Sequence, residues 1–265
     1  MLGRYGSILA IMLLAAPGPA WAGAWLMDKG EGQIVFGGTL SRADNAFDGS
    51  RKLGSTPRYR KFELQGLFEY GLTDRFTLML GPGYQHIDIA APTDASRSGF
   101  GYSEFGGRYR FLQGDSWVFS GQAMIRAPGT GQGFNPAAVG YTEPEFDVRA
   151  LFGKSFTAAG LPAFLDLQLA QRFRLGNSAD EFRFDATFGI RTAEKWLLLV
   201  QSLNVVSEGA SPNLLIPSYD YSKLQISAVY SLTPALSLQV GGFTTFSGRN
   251  ALQENGLIAG IWYKF

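Results

Sequence analysis

The chain of 265 residues has no cysteine and a single histidine, His86. No disulfide can form, no thiolate can hold a metal, and zinc or thiol chemistry is not expected. An excess of charge is also missing, with 23 Lys and Arg against 22 Asp and Glu. Without Arg4 in the N-terminal segment the balance is 22 to 22, which gives no reason to expect a nucleic-acid partner. Beyond that segment no run of about 18 apolar residues occurs, so no later membrane-spanning helix is expected. A membrane crossing with every backbone group bonded would then require a closed β-barrel.

What the chain does contain suits strands. It has 34 Gly, 21 Phe and 11 Tyr. Counting back from the C-terminus, Phe265, Tyr263, Ile261, Ala259 and Leu257 fall on one face of a period-two pattern, with Lys264, Trp262, Gly260, Ile258 and Gly256 between them. A terminal strand of this kind resembles the closing strand of bacterial outer-membrane β-barrels, and Tyr263 and Phe265 then stand as an assembly signal for the barrel-assembly machinery. At the other end, Arg4, the apolar run Ile8 to Ala16 and Ala20-Trp21-Ala22 have the three-part layout of a secretory signal peptide. The expected organisation is a signal peptide over 1–22, a periplasmic N-terminal segment over 23–31 and a transmembrane barrel over 32–265. Residues 23–31, with Trp25, are candidates to enter the bore as a plug.

Period-two segments recur along the chain, at 32–41, 59–70, 75–86, 100–111, 116–127, 143–153, 163–175, 181–191, 196–207, 221–232, 236–247 and 255–265. The cleanest sets Phe182, Phe184, Ala186, Phe188 and Ile190 against Glu181, Arg183, Asp185, Thr187 and Arg191. Segment 196–207 is apolar on both faces and is left unoriented. Tight connections after even segments (71–74, 112–115, 193–195, 233–235) alternate with longer ones at 42–58, 87–99, 128–142 and 208–220; only 154–162 departs. The pattern predicts an all-β fold, an antiparallel outer-membrane barrel of twelve strands. The polar, basic stretch 42–58, with Arg42, Arg51, Lys52 and Arg58, reads as a solvated loop or as a contact for acidic lipopolysaccharide.

With the apolar faces toward lipid, the opposite faces line the bore. Strands four to eight bring Arg108, Arg110, Arg126, Arg149, Arg172, Arg174, Arg183 and Arg191, beside Glu145, Asp147, Asp166 and Asp185. The remaining wall is neutral, with Gln201, Gln225, Ser227, Gln239, Thr245 and glycines. Two readings stay open. The arginines pair with the carboxylates and fill the bore, or their excess favours anionic or hydroxylated solutes.

Catalysis is not expected, and neither is a cofactor. The parity of His86 puts it on the lipid side or outer rim of strand three, beside Asp88, with Ser96, Ser98 and Ser103 in or beyond the next loop. Gly101-Tyr102-Ser103-Glu104-Phe105-Gly106 lies in a strand, so it is not a nucleophile elbow. Gly129-Thr130-Gly131-Gln132-Gly133 has no strand–helix pair to make it a phosphate loop.

Gly23-Ala24-Trp25, Lys29-Gly30-Glu31-Gly32-Gln33, Tyr59-Arg60-Lys61-Phe62-Glu63-Leu64 and Glu69-Tyr70-Gly71-Leu72-Thr73-Asp74-Arg75-Phe76-Thr77-Leu78 together resemble the small bacterial outer-membrane family called XagA-like. They are similar, more loosely, to barrels linked with the meta pathway of phenol degradation. The resemblance covers residues 23–80 in motif. It implies a single barrel with an envelope role: uptake of small hydrophobic or aromatic compounds, or assistance with surface glycan. The expected protein is an outer-membrane channel for small solutes, in contact with outer-membrane lipid and lipopolysaccharide. The competing expectation is a non-conducting barrel serving adhesion or glycan export.

Overall fold

A computed structural model describes residues 23–129, 137, 143–211 and 217–265. The expected signal peptide, most of the glycine-rich stretch after Gly129 and the centre of the 208–220 connection lie outside these residues. Within them fifteen strands follow one another: β1 (Gly32–Phe47), β2 (Leu53–Thr73), β3 (Phe76–Gly81), β4 (Gly83–Ile89), β5 (Ala95–Phe100), β6 (Ser103–Gln113), β7 (Trp117–Ala127), β8 (Glu145–Ala158), β9 (Leu161–Arg174), β10 (Glu181–Ala193), β11 (Trp196–Ser207), β12 (Asp220–Ser231), β13 (Leu236–Arg249), β14 (Ala251–Leu252) and β15 (Asn255–Lys264).

Three pairs of these are single barrel strands with an interruption, giving twelve strands in a closed antiparallel barrel. Pro82, between β3 and β4, has no N–H to give to a ladder. The register against β2 nevertheless continues across it, from Phe68 opposite Leu80 to Gln65 opposite Gly83. On the other side Gly83 faces both Gly101 and Tyr102. That bulge separates β5 from β6 and switches which parity points inward, so Arg97 and Tyr102 are both buried. β15 closes the barrel on β1, with Ile34 opposite Tyr263 and Phe36 opposite Ile261. Gly32 and Phe265 exchange two backbone hydrogen bonds at 2.8 and 3.0 Å.

Alternation is faithful to the pleat. Outward residues such as Ile34, Leu40, Phe105, Ile125, Leu169 and Leu257 are exposed. Inward ones such as Gln33, Thr77, Ser120, Ser227 and Thr245 are buried. Outward aromatics form a belt at the short-turn end, including Phe68 stacked between Tyr70 and Phe265, Trp117 stacked on Phe152, and Trp196 tilted against Tyr230. Amphipathic rings gather where a hydrocarbon layer would end.

Several expected connections are tighter than the sequence suggested. β1 and β2 run as one ladder out to Phe47 opposite Leu53, so 42–58 is mostly strand with a turn at 48–52. β4 and β5 continue to Ile89 opposite Ala95, and 87–99 shrinks to 90–94. The expected longer connection 154–162 is a two-residue turn, Ala159-Gly160, with φ of 51° and 78°. Both residues are left-handed, as the tightest hairpin turns require. Strands that project past the membrane no longer need an apolar outer face, so alternation ceases to mark them. β2, at 21 residues, is twice what a tilted transmembrane strand needs.

Candidate functional site

Five adjoining strands, β6 to β10, place guanidinium and carboxylate groups on inward positions near the long-loop mouth, and cross-strand register brings opposite signs together. Arg126 donates to Glu104 at 2.6 Å and to Glu145. Arg172 reaches Asp147 at 2.9 Å and lies 3.6 Å from both Glu145 and Glu181. Arg174 approaches Glu145 at 3.2 Å and Glu181 at 2.6 Å. Arg149 bridges Asp147 and Asp185 at 2.7 and 3.1 Å. Tyr102, placed inward by the bulge, lies under the Arg126 guanidinium at 4.4 Å and donates its hydroxyl to the Glu143 carbonyl at 2.8 Å. The arginines are therefore largely neutralised where they stand.

Arg183 sits within this network, yet it makes no ion pair within 4.0 Å among the described residues, and its Nε has no hydrogen-bond partner. Arg110 and Arg191 do not join the ladder. A β-bulge after Arg110 and the end of β10 leave them at the short-turn rim, where Arg110 donates to the Asp74 carbonyl. Sequence parity alone had grouped them with the rest because it carries no height along the barrel axis. Glu69 on β2 is the partner of Arg108 that charge-counting by strand misses. It pairs with Arg108 at 3.1 Å and accepts from the Gln33 amide.

The opposite wall is neutral and joined by amides. Gln225 donates to Gln201 at 2.7 Å, Gln201 to Thr187 at 3.2 Å, Gln239 to Ser227 at 2.9 Å, and the Trp262 indole N–H to Gln239 at 3.1 Å. Between this wall and Arg108 lies a cavity of about 390 Å³, bounded also by Trp25, Phe164 and Gln168.

The short-turn end is filled by residues 24–27, which run inside the barrel. The Ala24 N–H donates to Asp166 at 2.7 Å, and its carbonyl accepts from Ser120 at 2.6 Å. Arg108 donates to the Trp25 carbonyl at 2.9 Å, and the Met27 N–H donates to Thr77 at 3.0 Å. Trp25 meets Phe164 edge-on at 5.9 Å between centroids. It packs between one cluster of Phe164, Leu197, Leu199 and Val229 and a second of Ala24, Val118 and Leu151. This explains the two-faced apolarity of 196–207: Leu197, Leu199 and Val205 point inward, and Leu198, Val200 and Val206 outward. Gly71 and Gly153 make room for the segment. A Cβ on Gly71 would come 2.1 Å from the Asp28 carbonyl oxygen, and one on Gly153 2.6 Å from the Trp25 ring.

On the outer face, Ser98 is not in a loop. It lies on β5 directly opposite His86, whose Nδ1 is 2.6 Å from Ser98 Oγ and whose Nε2 is 2.9 Å from Asp88. This is a chain of polar neighbours on one exposed sheet face, near the groove formed by Leu40, Phe62 and Leu257. Among the described residues no group of three His, Asp or Glu is arranged to hold a metal.

No family model matches the chain, and neither does any curated protein. Solved structures do. The COG4313 outer-membrane channel from Pseudomonas putida F1 superposes with a TM-score of 0.72 at 14% identity, over 91% of this chain and 98% of that one. The fold is that of an outer-membrane β-barrel. NanC porin follows with a TM-score of 0.54 at 9% identity, over 88% of this chain and 100% of that one. KdgM porin in complex with disordered oligogalacturonate gives 0.51 at 7% identity, over 88% and 99%. At these identities the likeness establishes architecture.

Proposed function

We propose that the protein is a bacterial outer-membrane channel for small polar solutes, with its short turns and N-terminal segment on the periplasmic side. The observation that carries this reading is the bore cavity of about 390 Å³, walled by glutamine amides on one side and by Trp25 and Trp262 at its base. Amide donors and acceptors beside indole faces suit hydroxylated or aromatic solutes, since each such group exchanges hydrogen bonds without demanding charge. The paired arginines fix the shape of the mouth, and Arg183 stands among them without an ion pair of its own within 4.0 Å among the described residues. The named neighbours include an outer-membrane channel and porins, one of them in complex with an oligogalacturonate, which supports a transport role.

The chain's motif resemblance to XagA-like barrels fits the same envelope setting. Tyr263 and Phe265 would engage the barrel-assembly machinery, and the basic projection Arg42, Arg51, Lys52 and Arg58 would face lipopolysaccharide. Planar-bilayer recording of the refolded protein tests the reading. Millimolar neutral sugars or aromatic alcohols added to one side should reduce the current reversibly, with weak cation–anion discrimination. A folded barrel that never conducts, with or without residues 23–31, would favour the adhesion or glycan-export alternative.

A further inference from the structure

The carboxylate of Asp166 is anomalous among those of the bore. It is 1% exposed, yet no cationic nitrogen of the described residues lies within 4.0 Å of it. Among the described residues it accepts only the Ala24 N–H and the Gln168 Nε2, each at 2.7 Å. Arg108 is committed elsewhere, to Glu69, Gln122 and the Trp25 carbonyl. A buried carboxylate without a counter-charge is costly, so a cation is expected there.

Gly23 lies against this carboxylate. A Cβ built on it would fall 3.3 Å from Asp166 Oδ1 and 2.1 Å from the Gln168 amide nitrogen, so only glycine fits without displacing Gln168. Ordinary bond lengths then put the Gly23 nitrogen within about 6 Å of Oδ1. In the uncleaved chain that nitrogen is a neutral amide. Cleavage after Ala22, at the A-x-A site, turns it into a primary amine that is protonated at neutral pH.

We propose that removal of the signal peptide supplies the missing charge: the α-ammonium group of Gly23 pairs with Asp166 and latches residues 23–27 inside the bore. The inference rests on the reading of residues 1–22 as a cleaved leader. Plugging of the barrel is thereby tied to processing, because a chain still carrying its leader has no cation to place beside Asp166.

Hydrogen exchange of the folded, exported protein tests this. Intact mass first establishes that it begins at Gly23; a different first residue overturns the processing step itself, independently of the channel reading. Amide exchange over Ala24–Met27 is then compared with Asp166→Asn, with Asp166→Glu, and with a refolded chain that retains Ala20-Trp21-Ala22. Heat-modifiable gel migration identifies the folded fraction of each. Without the ammonium–carboxylate pair, exchange should be about tenfold faster or more in Asp166→Asn and in the tripeptide-retaining chain, with Asp166→Glu close to the parent. Equal protection in all four proteins, or Glu behaving as Asn does, would overturn the latch. Should Asp166→Asn fail to fold, the tripeptide-retaining chain, with Asp166 intact, still decides.

Discussion

At the scale of single residues, the bore arginines separate into two kinds. Arg172 contacts Asp147, Glu145 and Glu181 together, so its removal leaves several buried carboxylates short of a partner. Arg172→Gln should destabilise the barrel by about 3–5 kcal/mol in urea unfolding, the range for breaking one side of a buried pair. Arg183→Gln breaks no ion pair within 4.0 Å among the described residues, so it should lower the urea midpoint by less than Arg172→Gln does, while shifting the reversal potential toward cations. Equal stability losses for the two would mean that Arg183 is structural after all. Glu143, outside the strands, ties two loops by accepting the Asn177 and Ser178 amides at 2.5 and 3.0 Å. Partial burial opposes the anion, but those amides outweigh it and hold the carboxyl below its usual range. A depressed carboxylate contributes its stability above its unfolded value and loses it as pH falls through the folded one. Protection of the Asn177 and Ser178 amides should therefore persist at pH 6 and disappear only under acid conditions below the ordinary carboxylate range, whereas Glu143→Gln should lack that transition.

At the scale of elements, the N-terminal segment and the two-faced β11 explain each other. Inward Leu197 and Leu199 make sense only once Trp25 is seen beside them. The period-two pattern marked the membrane-spanning strands other than β11, because lipid on one side and polar neighbours on the other constrain each residue in turn. It was silent where that contrast ends, as in the projecting hairpin of β1 and β2 and the bulge that turns Tyr102 inward. It also gave no height along the axis, so Arg110 and Arg191 were indistinguishable from Arg172. The carboxylates of the charged wall were readable residue by residue, but their partners across the ladder were not, because register is set by turns such as Ala159-Gly160. Gly71→Ala isolates the segment, since its Cβ would meet the Asp28 carbonyl oxygen. The variant should fold to the same heat-modifiable barrel while Trp25 becomes accessible to acrylamide quenching. An unchanged quenching profile would contradict the packing of 24–27 in the bore.

At the scale of the whole molecule, three zones succeed one another along the axis. An ion-paired collar stands at the long-loop mouth, an amide-lined cavity in the middle, and a tryptophan-sealed floor at the short-turn end. Twelve strands enclose more space than their side chains alone fill, and the N-terminal segment occupies part of the remainder. The central claim is that the segment, rather than the collar, limits passage. Single-channel conductance of the mature protein against a form lacking residues 23–31 tests it most directly. A several-fold rise in conductance on deletion, with ion selectivity little changed, is the predicted result. The same conductance in both forms, with the barrel folded in each, would contradict it.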